Sequence, residues 1–290
     1  MYTIPSTDLI LNADGSAYHL NLLPQDIADT IILVGDPDRV TEVSKHFDSI
    51  ELRKGKREFI THTGYMAGKR MSVVSTGIGT DNIDIVLNEL DALVNIDLKT
   101  RVVHQELKKL NLVRIGTSGI VQADIEVDSL LVSEAAIGLD ALMHYYKHAL
   151  TEEQEQMLSA FAYALPQEIV HRPYLSIADE YLLKTLGEGI QQSVTITAPG
   201  FYAPQGRQIR AQSTMPQLLD IIEKFKFKNK RITNLEMETA GIYGMATALG
   251  HRAISFNVLL ANRITDKFST QPAEIMDRYI VEVLSRVARL

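Results

Sequence analysis

The sequence predicts an α/β protein, one domain over residues 1–290 with a central mixed, mostly parallel β-sheet flanked by helices. Three observations predict it: short β-branched apolar runs recur along the chain, helical patterns separate several of them, and no Pro/Ser-rich linker divides the 290 residues. Taken in order, the runs IILV (Ile31 to Val34), MSVVS (Met71 to Ser75), LVRI (Leu112 to Ile115), LLVS (Leu130 to Ser133), VTIT (Val194 to Thr197) and AISFNVLLA (Ala253 to Ala261) have the length and composition of buried strands. The clearest helix follows TGIGT (Thr76 to Thr80), where Ile83, Val86, Leu87, Leu90 and Leu93 recur at three- and four-residue intervals. The stretch Asn95 to Lys109 reads as a charged helical interlude, and KFKFKNKR (Lys224 to Arg231) as a solvated basic patch. NLEMETAG (Asn234 to Gly241) places Glu236 and Glu238 at the start of a helix running to the Gly250 stop. Pro272 opens a long final helix that repeats Ile275, Tyr279, Ile280, Val283 and Val287 on one face.

Composition excludes several function classes. With 46% hydrophobic and 22% charged residues the chain has an ordinary globular balance, and a net charge of −7 leaves no overall cationic surface for a nucleic-acid backbone. An anionic ligand must be met locally. Zero Cys removes disulfides, Cys-containing zinc sites, iron–sulfur clusters and thiol catalysis, and fits a reducing cytoplasm. The opening segment lacks the basic start and apolar stretch of a signal peptide, and no run reaches the roughly 20 apolar residues of a membrane span, so a cytoplasmic protein without membrane partners is expected. His144 and His148 stand four apart on an expected helix, yet no carboxylate is spaced to complete a metal site. Neither GxxxxGK[ST] nor GxSxG occurs, and GIGTDN has Asn82 where a dinucleotide fingerprint needs its third Gly.

Ligands of open α/β sheets sit beyond the carboxyl ends of the strands, and those ends carry the chemistry. GDPDR after IILV offers Gly35 as a close-approach amide and Arg39 in the first turn of a helix. GTSG after LVRI (Leu112 to Ile115) puts Arg114 at a strand end, a second guanidinium with Thr117 and Ser118 hydroxyls beside it. Each element alone fits ordinary turn chemistry; together they favour an oxyanion held from two sides. APGFYAPQGRQIR (Ala198 to Arg210) sets Phe201 beside Gln205 and Arg207, a stacking ring with an amide and a guanidinium suited to the O–N–O edge of a pyrimidine, or else a surface loop with a pairing Arg. Glu236 and Glu238 either complement a helix dipole or accept paired hydrogen bonds from vicinal sugar hydroxyls.

From Tyr18 nearly to the C-terminus, GDPDRV (Gly35 to Val40), STGIG (Ser75 to Gly79), RIGTSG (Arg114 to Gly119), FYAPQGR (Phe201 to Arg207), LEMETAG (Leu235 to Gly241) and ANR (Ala261 to Arg263) follow the order of one family. The chain resembles the nucleoside phosphorylases of the purine and uridine branch. Within it, the Gln and Arg of FYAPQGR and the NR of ANR resemble the uridine-cleaving members, whereas purine-specific members carry an acid near Asn262. The resemblance implies a pentosyl transfer in pyrimidine nucleoside salvage, the reversible phosphorolysis of uridine to uracil and ribose 1-phosphate. It implies a phosphate site of Gly35, Arg39, Arg114 and Thr117, with Arg57 supplied by a neighbouring subunit. Ribose would meet Met237, Glu238 and a neighbour's His19, and uracil would meet Phe201, Gln205 and Arg207, with Arg263 supporting the loop. Arg207, Arg114 and Glu238 would carry catalysis.

The resemblance also implies a homo-oligomer, at minimum a dimer, because His19 and Arg57 would come from a neighbouring subunit. No cofactor is expected, phosphate being a co-substrate; some relatives have a monovalent-cation site at positions like Glu58, Ile78 and a Ser, but Asn82 near the Ser position disfavours potassium. Rival readings are a nucleoside hydrolase, which has no need of Arg39 and Arg114, a purine-specific phosphorylase, and a non-catalytic nucleoside sensor.

Overall fold

Residues 2–166 and 171–290 are described by the computed structural model. Strand β1 (Thr30–Val34) turns into α1 (Pro37–Ser44), which Asp36 caps by accepting a hydrogen bond from the Asp38 amide at 2.9 Å. The meander β2 (Ser49–Lys56), β3 (Phe59–Met66) and β4 (Lys69–Ser75) follows, then α2 (Thr80–Asn95). Only β4 of this meander stands out in the sequence, because β2 is half exposed throughout and carries no apolar run. Two-residue strands β5 (Ile96–Asp97) and β6 (Val102–Val103) pair with each other before β7 (Asn111–Ile120) and β8 (Leu130–Gly138). Next come α3 (Glu152–Ala164), β9 (Tyr174–Ile177), α4 (Glu180–Leu186) and β10 (Gln191–Thr197). The chain closes with α5 (Leu218–Lys224), β11 (Lys226–Phe227), β12 (Lys230–Glu236), α6 (Thr239–Leu249), β13 (Arg252–Asn262), β14 (Lys267–Phe268) and α7 (Pro272–Val287).

Strands run in the order β11-β12-β10-β8-β13-β7-β1-β4-β3-β2, with β9 beside β8 and β14 beside β13. The ladders β1–β4, β1–β7, β7–β13, β8–β10 and β10–β12 are parallel, while the β2–β3–β4 meander and the short strands pair antiparallel. Because β12 also pairs β7, the strands β7-β13-β8-β10-β12 close into a ring. The strand period of two sorts the core. Ile31 and Leu33 face α2 and α6, Ile32 and Val34 face α1 and α7, and a third cluster lies under α3 and α5. The expected helices hold: Ile83, Val86, Leu87, Leu90 and Leu93 of α2 are buried, as are Ile275, Ile280, Val283 and Val287 of α7.

Three expectations are corrected. Asn95 to Lys109 is no helix, because the Asp97 carboxylate accepts from the Lys99 and Thr100 amides and closes a turn with Arg101 at φ +59°. Asn95 ends α2 by bonding both the carbonyl and the amide of Lys108. His144 sits in a single 3₁₀ turn (Leu142–Tyr145) and His148 beyond it; each ring faces a backbone carbonyl, Arg172 and Leu175 respectively, rather than a shared ligand. The helix after LEME starts at Thr239, leaving Glu236 as the last residue of β12 and Glu238 at the N-cap. Lys230 and Arg231 of the basic patch lie on β12 and pair with Glu134 and Asp124. No helix among the described residues is long and apolar enough to cross a membrane.

Candidate active site

The carboxyl ends of β1, β7, β12 and β13 and the loop after β10 converge on a cavity of about 810 Å³. Its walls bring together Gly35, Arg39, Arg114, Thr117, Met237, Glu238, Phe201, Gln205 and Arg207, nine of the twelve site residues expected from the sequence. A larger cleft of about 1240 Å³ runs between Leu23 and Lys108, but it gathers none of these groups.

Arg114 is the hub. It does not end its strand as expected, because β7 runs on through GTSG to Ile120; from the middle of that strand, buried, it donates through Nη2 to Glu238 Oε2 at 2.6 Å, with Glu236 Oε2 at 3.0 Å. Nη1 donates to Asn257 Oδ1 at 3.3 Å. Gly116 makes room: a Cβ there would stand 1.9 Å from Arg114 Nη1. Burial alone would lower the Arg114 pKa, but the Glu236 and Glu238 charges outweigh it and raise it. Arg39, in the first turn of α1, is held below the usual arginine value by burial and by the charge of Arg114, with Asp36 and Glu238 opposing. At Gly35, a Cβ would lie 3.4 Å from the Gly77 carbonyl, so the first loop and the glycine loop before α2 touch here.

Glu236 does structural work at the strand end. Its carboxylate accepts from the amides of Glu238 and Thr239 and, at 2.6 Å, from Thr197 Oγ1, tying β12 to β10 and the start of α6. Glu238 is thereby aimed into the cavity, where it accepts from Gly79 N at 2.8 Å. Burial and the neighbouring Glu236 push the Glu238 carboxyl above the usual range while Arg114 pulls it down.

On the opposite wall, the loop after β10 folds through a short 3₁₀ turn (Ala203–Gln205) to Gly206 at φ +69°. Arg207 lies over the Phe201 ring, 3.8 Å from its centroid, and donates to the Phe201 carbonyl and Gln205 Oε1. Burial, and then the charge of Arg263, lower its pKa to about 10, which leaves it charged at neutral pH. Arg263 stands behind the wall and donates to the carbonyls of Gln205 at 3.0 Å and Gly206 at 3.4 Å. Among the described residues, neither Arg207 nor Arg263 has a carboxylate within ion-pair distance, in contrast to Arg114.

Two expected residues lie away from their own chain's cavity. Arg57 is exposed at the β2–β3 turn with φ +56°, beside Glu58, which does line the cavity. His19 packs against α2, where its Nδ1 lies 2.6 Å from Glu89 Oε1. Asn82 and Glu58 meet across the rim, with the Asn82 amide donating to Glu58 Oε1 at 3.4 Å. Sequence reasoning missed Phe268 and Leu260, which complete the wall beside Ala261. A two-residue strand at a loop tip leaves no periodic signal that would single out Phe268.

The phosphorylase superfamily profile matches residues 29–288. Uridine phosphorylase of Thermococcus kodakarensis is 30% identical over 268 residues, covering 88% of this chain and 80% of that protein. A DeoD-type purine nucleoside phosphorylase of Shewanella frigidimarina is 27% identical over 237 residues, covering 81% and 82%. The crystal structure of a Trypanosoma brucei nucleoside phosphorylase, described as having uridine phosphorylase activity, superposes with a TM-score of 0.90 at 27% identity, covering 98% of this chain and all of that one. With its profile match, its converging strand ends and its shared fold, the chain belongs to the phosphorylase superfamily and has the nucleoside phosphorylase fold.

Proposed function

We propose that the chain is a uridine phosphorylase, converting uridine and phosphate reversibly to uracil and ribose 1-phosphate in pyrimidine nucleoside salvage. The observation that carries the reading is the base-side wall of Phe201, Gln205 and Arg207: an aromatic face, an amide and a guanidinium that has no carboxylate partner among the described residues, on a turn whose Gln205 and Gly206 carbonyls Arg263 holds. In phosphorolysis a phosphate oxygen bonds C1′ as the C1′–N1 bond breaks, and the bond's electron pair leaves on the uracil ring. Arg207 is placed to stabilise that developing anion, so no separate acid is required on the base. Gln205 donates and accepts along the same edge.

On the other side, Gly35 N, Arg39, Arg114 and Thr117 hold phosphate, and Met237 and Glu238 hold the ribose hydroxyls beside Arg114. Charge supports a site shared between subunits. Arg39 and Arg114 stand against the carboxylates of Glu236 and Glu238, with Asp36 and Glu58 also on the walls, so a phosphate dianion gains little from this chain alone. Arg57 of the partner subunit supplies the uncompensated cation, and His19 of the partner subunit reaches the 5′-hydroxyl, which makes the active unit at least a homodimer. The whole of residues 1–290 acts as one domain in this reading, in the cytoplasm, with phosphate as co-substrate and no other cofactor. The hydrolase alternative is disfavoured by the two guanidinium groups retained at the phosphate side.

The test follows uridine by its ultraviolet absorbance as it becomes uracil, with and without phosphate, and with inosine in parallel. Phosphate-dependent uracil release with inosine untouched is the expected result. Inosine cleavage in preference to uridine would transfer the reading to the purine branch, and absence of turnover on both would leave a binding protein.

A further inference from the structure

We propose that Asn262 is a positioning residue for base selectivity: without touching the base, it holds Arg263, and through Arg263 the Gln205–Arg207 turn, in the geometry that reads a pyrimidine. The proposal rests on the uridine reading above. Asn262 ends β13 and is 3% exposed, and it does not line the cavity although the preceding Ala261 does. Its amide is fully used by backbone. Nδ2 donates to the carbonyls of Gln122 at 2.9 Å and Ile125 at 3.0 Å, and Oδ1 accepts from the amides of Ile264 at 2.9 Å and Thr265 at 3.0 Å. This bracket pins both sides of Arg263, whose own amide donates to the Ile120 carbonyl at 2.9 Å. The Arg263 stem then crosses Gly119, where a Cβ would stand 3.4 Å from its Cγ, and its guanidinium grips the Gln205 and Gly206 carbonyls. Gln205 in turn receives the Arg207 hydrogen bond, so the position of the base-reading guanidinium is set, link by link, from Asn262.

The amide is chemically required at this position. An aspartate of the same shape still accepts from Ile264 and Thr265, but it has no proton for Gln122 and Ile125. Its carboxylate oxygen would then face two buried carbonyl oxygens at hydrogen-bond distance, which is repulsive. Either the side chain turns away or the 262–265 turn opens, and Arg263 moves with it.

The experiment measures KM for uridine and for phosphate separately in wild type, Asn262→Asp, Asn262→Ser, Arg263→Ala and the Asn262→Ser/Arg263→Ala double variant, with inosine as a second substrate. For each Asn262 variant the expected result is a KM for uridine raised about tenfold or more with the phosphate KM within about twofold, because the phosphate side is built on other strands. A general distortion of the folded site would move both constants, whereas simple loss of folded protein would lower the maximal rate and leave both KM values in place. In the double variant, Asn262→Ser should add less than about twofold to the uridine KM of Arg263→Ala, since the two act through one chain of contacts. Unchanged uridine KM, parallel rises in both constants, additive effects in the double variant, or inosine cleavage gained by Asn262→Asp would each overturn the proposal. Should Asn262→Asp not fold, the Asn262→Ser cycle decides alone. Wild-type protein inert toward uridine removes the uridine reading and this proposal together; active wild type with indifferent variants removes only this proposal.

Discussion

Gly116→Ala tests whether the clamped geometry of Arg114 matters. The added methyl would stand 1.9 Å from Arg114 Nη1, 2.3 Å from Cζ and 2.6 Å from Nη2, whereas ordinary contact begins near 3.4 Å, so the guanidinium must shift by 3.4 − 1.9 = 1.5 Å. Such a clash is cheap when a flexible tip swings into open space. Here the tip is buried and bound to Glu238 at 2.6 Å and Glu236 at 3.0 Å, so a shift of that size breaks at least one charge-assisted bond. That loss is about 2 kcal/mol, or roughly 30-fold in rate if felt in the transition state. Gly116 lies outside the positive-φ region, so backbone strain adds nothing. The assay is kcat/KM for phosphate at saturating nucleoside, with a thermal melt to establish folding. The Gly116→Ala/Arg114→Ala double variant should be no worse than Arg114→Ala alone, because the clash disappears with the guanidinium. A folded Gly116→Ala enzyme within about threefold of wild type would refute the reasoning.

Arg207→Ala should lower kcat on uridine about 100-fold while leaving the phosphate KM within about twofold; an equal rise in phosphate KM counts against a role at the base. In Glu238→Ala the preference for uridine over deoxyuridine should shrink about tenfold, the worth of one charge-assisted hydrogen bond, and an unchanged preference would remove Glu238 from the ribose. Mixing inactive Arg57→Ala and Arg39→Ala chains should restore about a quarter of wild-type sites if subunits exchange freely, since half the dimers are mixed and each holds one intact site; no recovery after refolding the mixture argues against a shared site. Burial, and then the charge of Arg53, hold His62 below the usual histidine range. The unfolded chain therefore takes up this proton first, and stability falls as pH drops below about 6.5 toward the folded value. His62→Gln should flatten the decline in melting temperature between pH 7.5 and 5.5, and identical slopes would contradict the assignment.

The legible parts of this fold are those where one physical requirement acts on consecutive residues. A strand buried on both faces must be largely apolar, and IILV is wholly so while AISFNVLLA departs only at Ser255 and Asn257, which face Arg114; a helix with one buried face must repeat at three and four, and Ile83 to Leu93 do. The β2–β3 hairpin escapes such a reading because one strand is only half covered, and Asn95 to Lys109 misleads because one Asp97 side chain outcompetes a helical composition. The site divides the same way. Arg39, Arg114, Gln205 and Arg207 are visible as polar groups beside glycines in or just after strands, yet their order of importance is not, because it is set across the sheet. Arg114 is fixed by Glu236 and Glu238 more than a hundred residues away, and the turn before Arg207 by Arg263, which grips the Gln205 and Gly206 carbonyls. Nothing within RIGTSG or YAPQGR encodes those partners. What the sequence displays is the set of groups able to meet phosphate and a planar ring; what it conceals is which of them are already neutralised. On the proposed function that concealed quantity matters most, because a guanidinium held between two carboxylates can orient a substrate, whereas Arg207, which among the described residues meets carbonyls and an aromatic face, keeps its full charge for a departing anion.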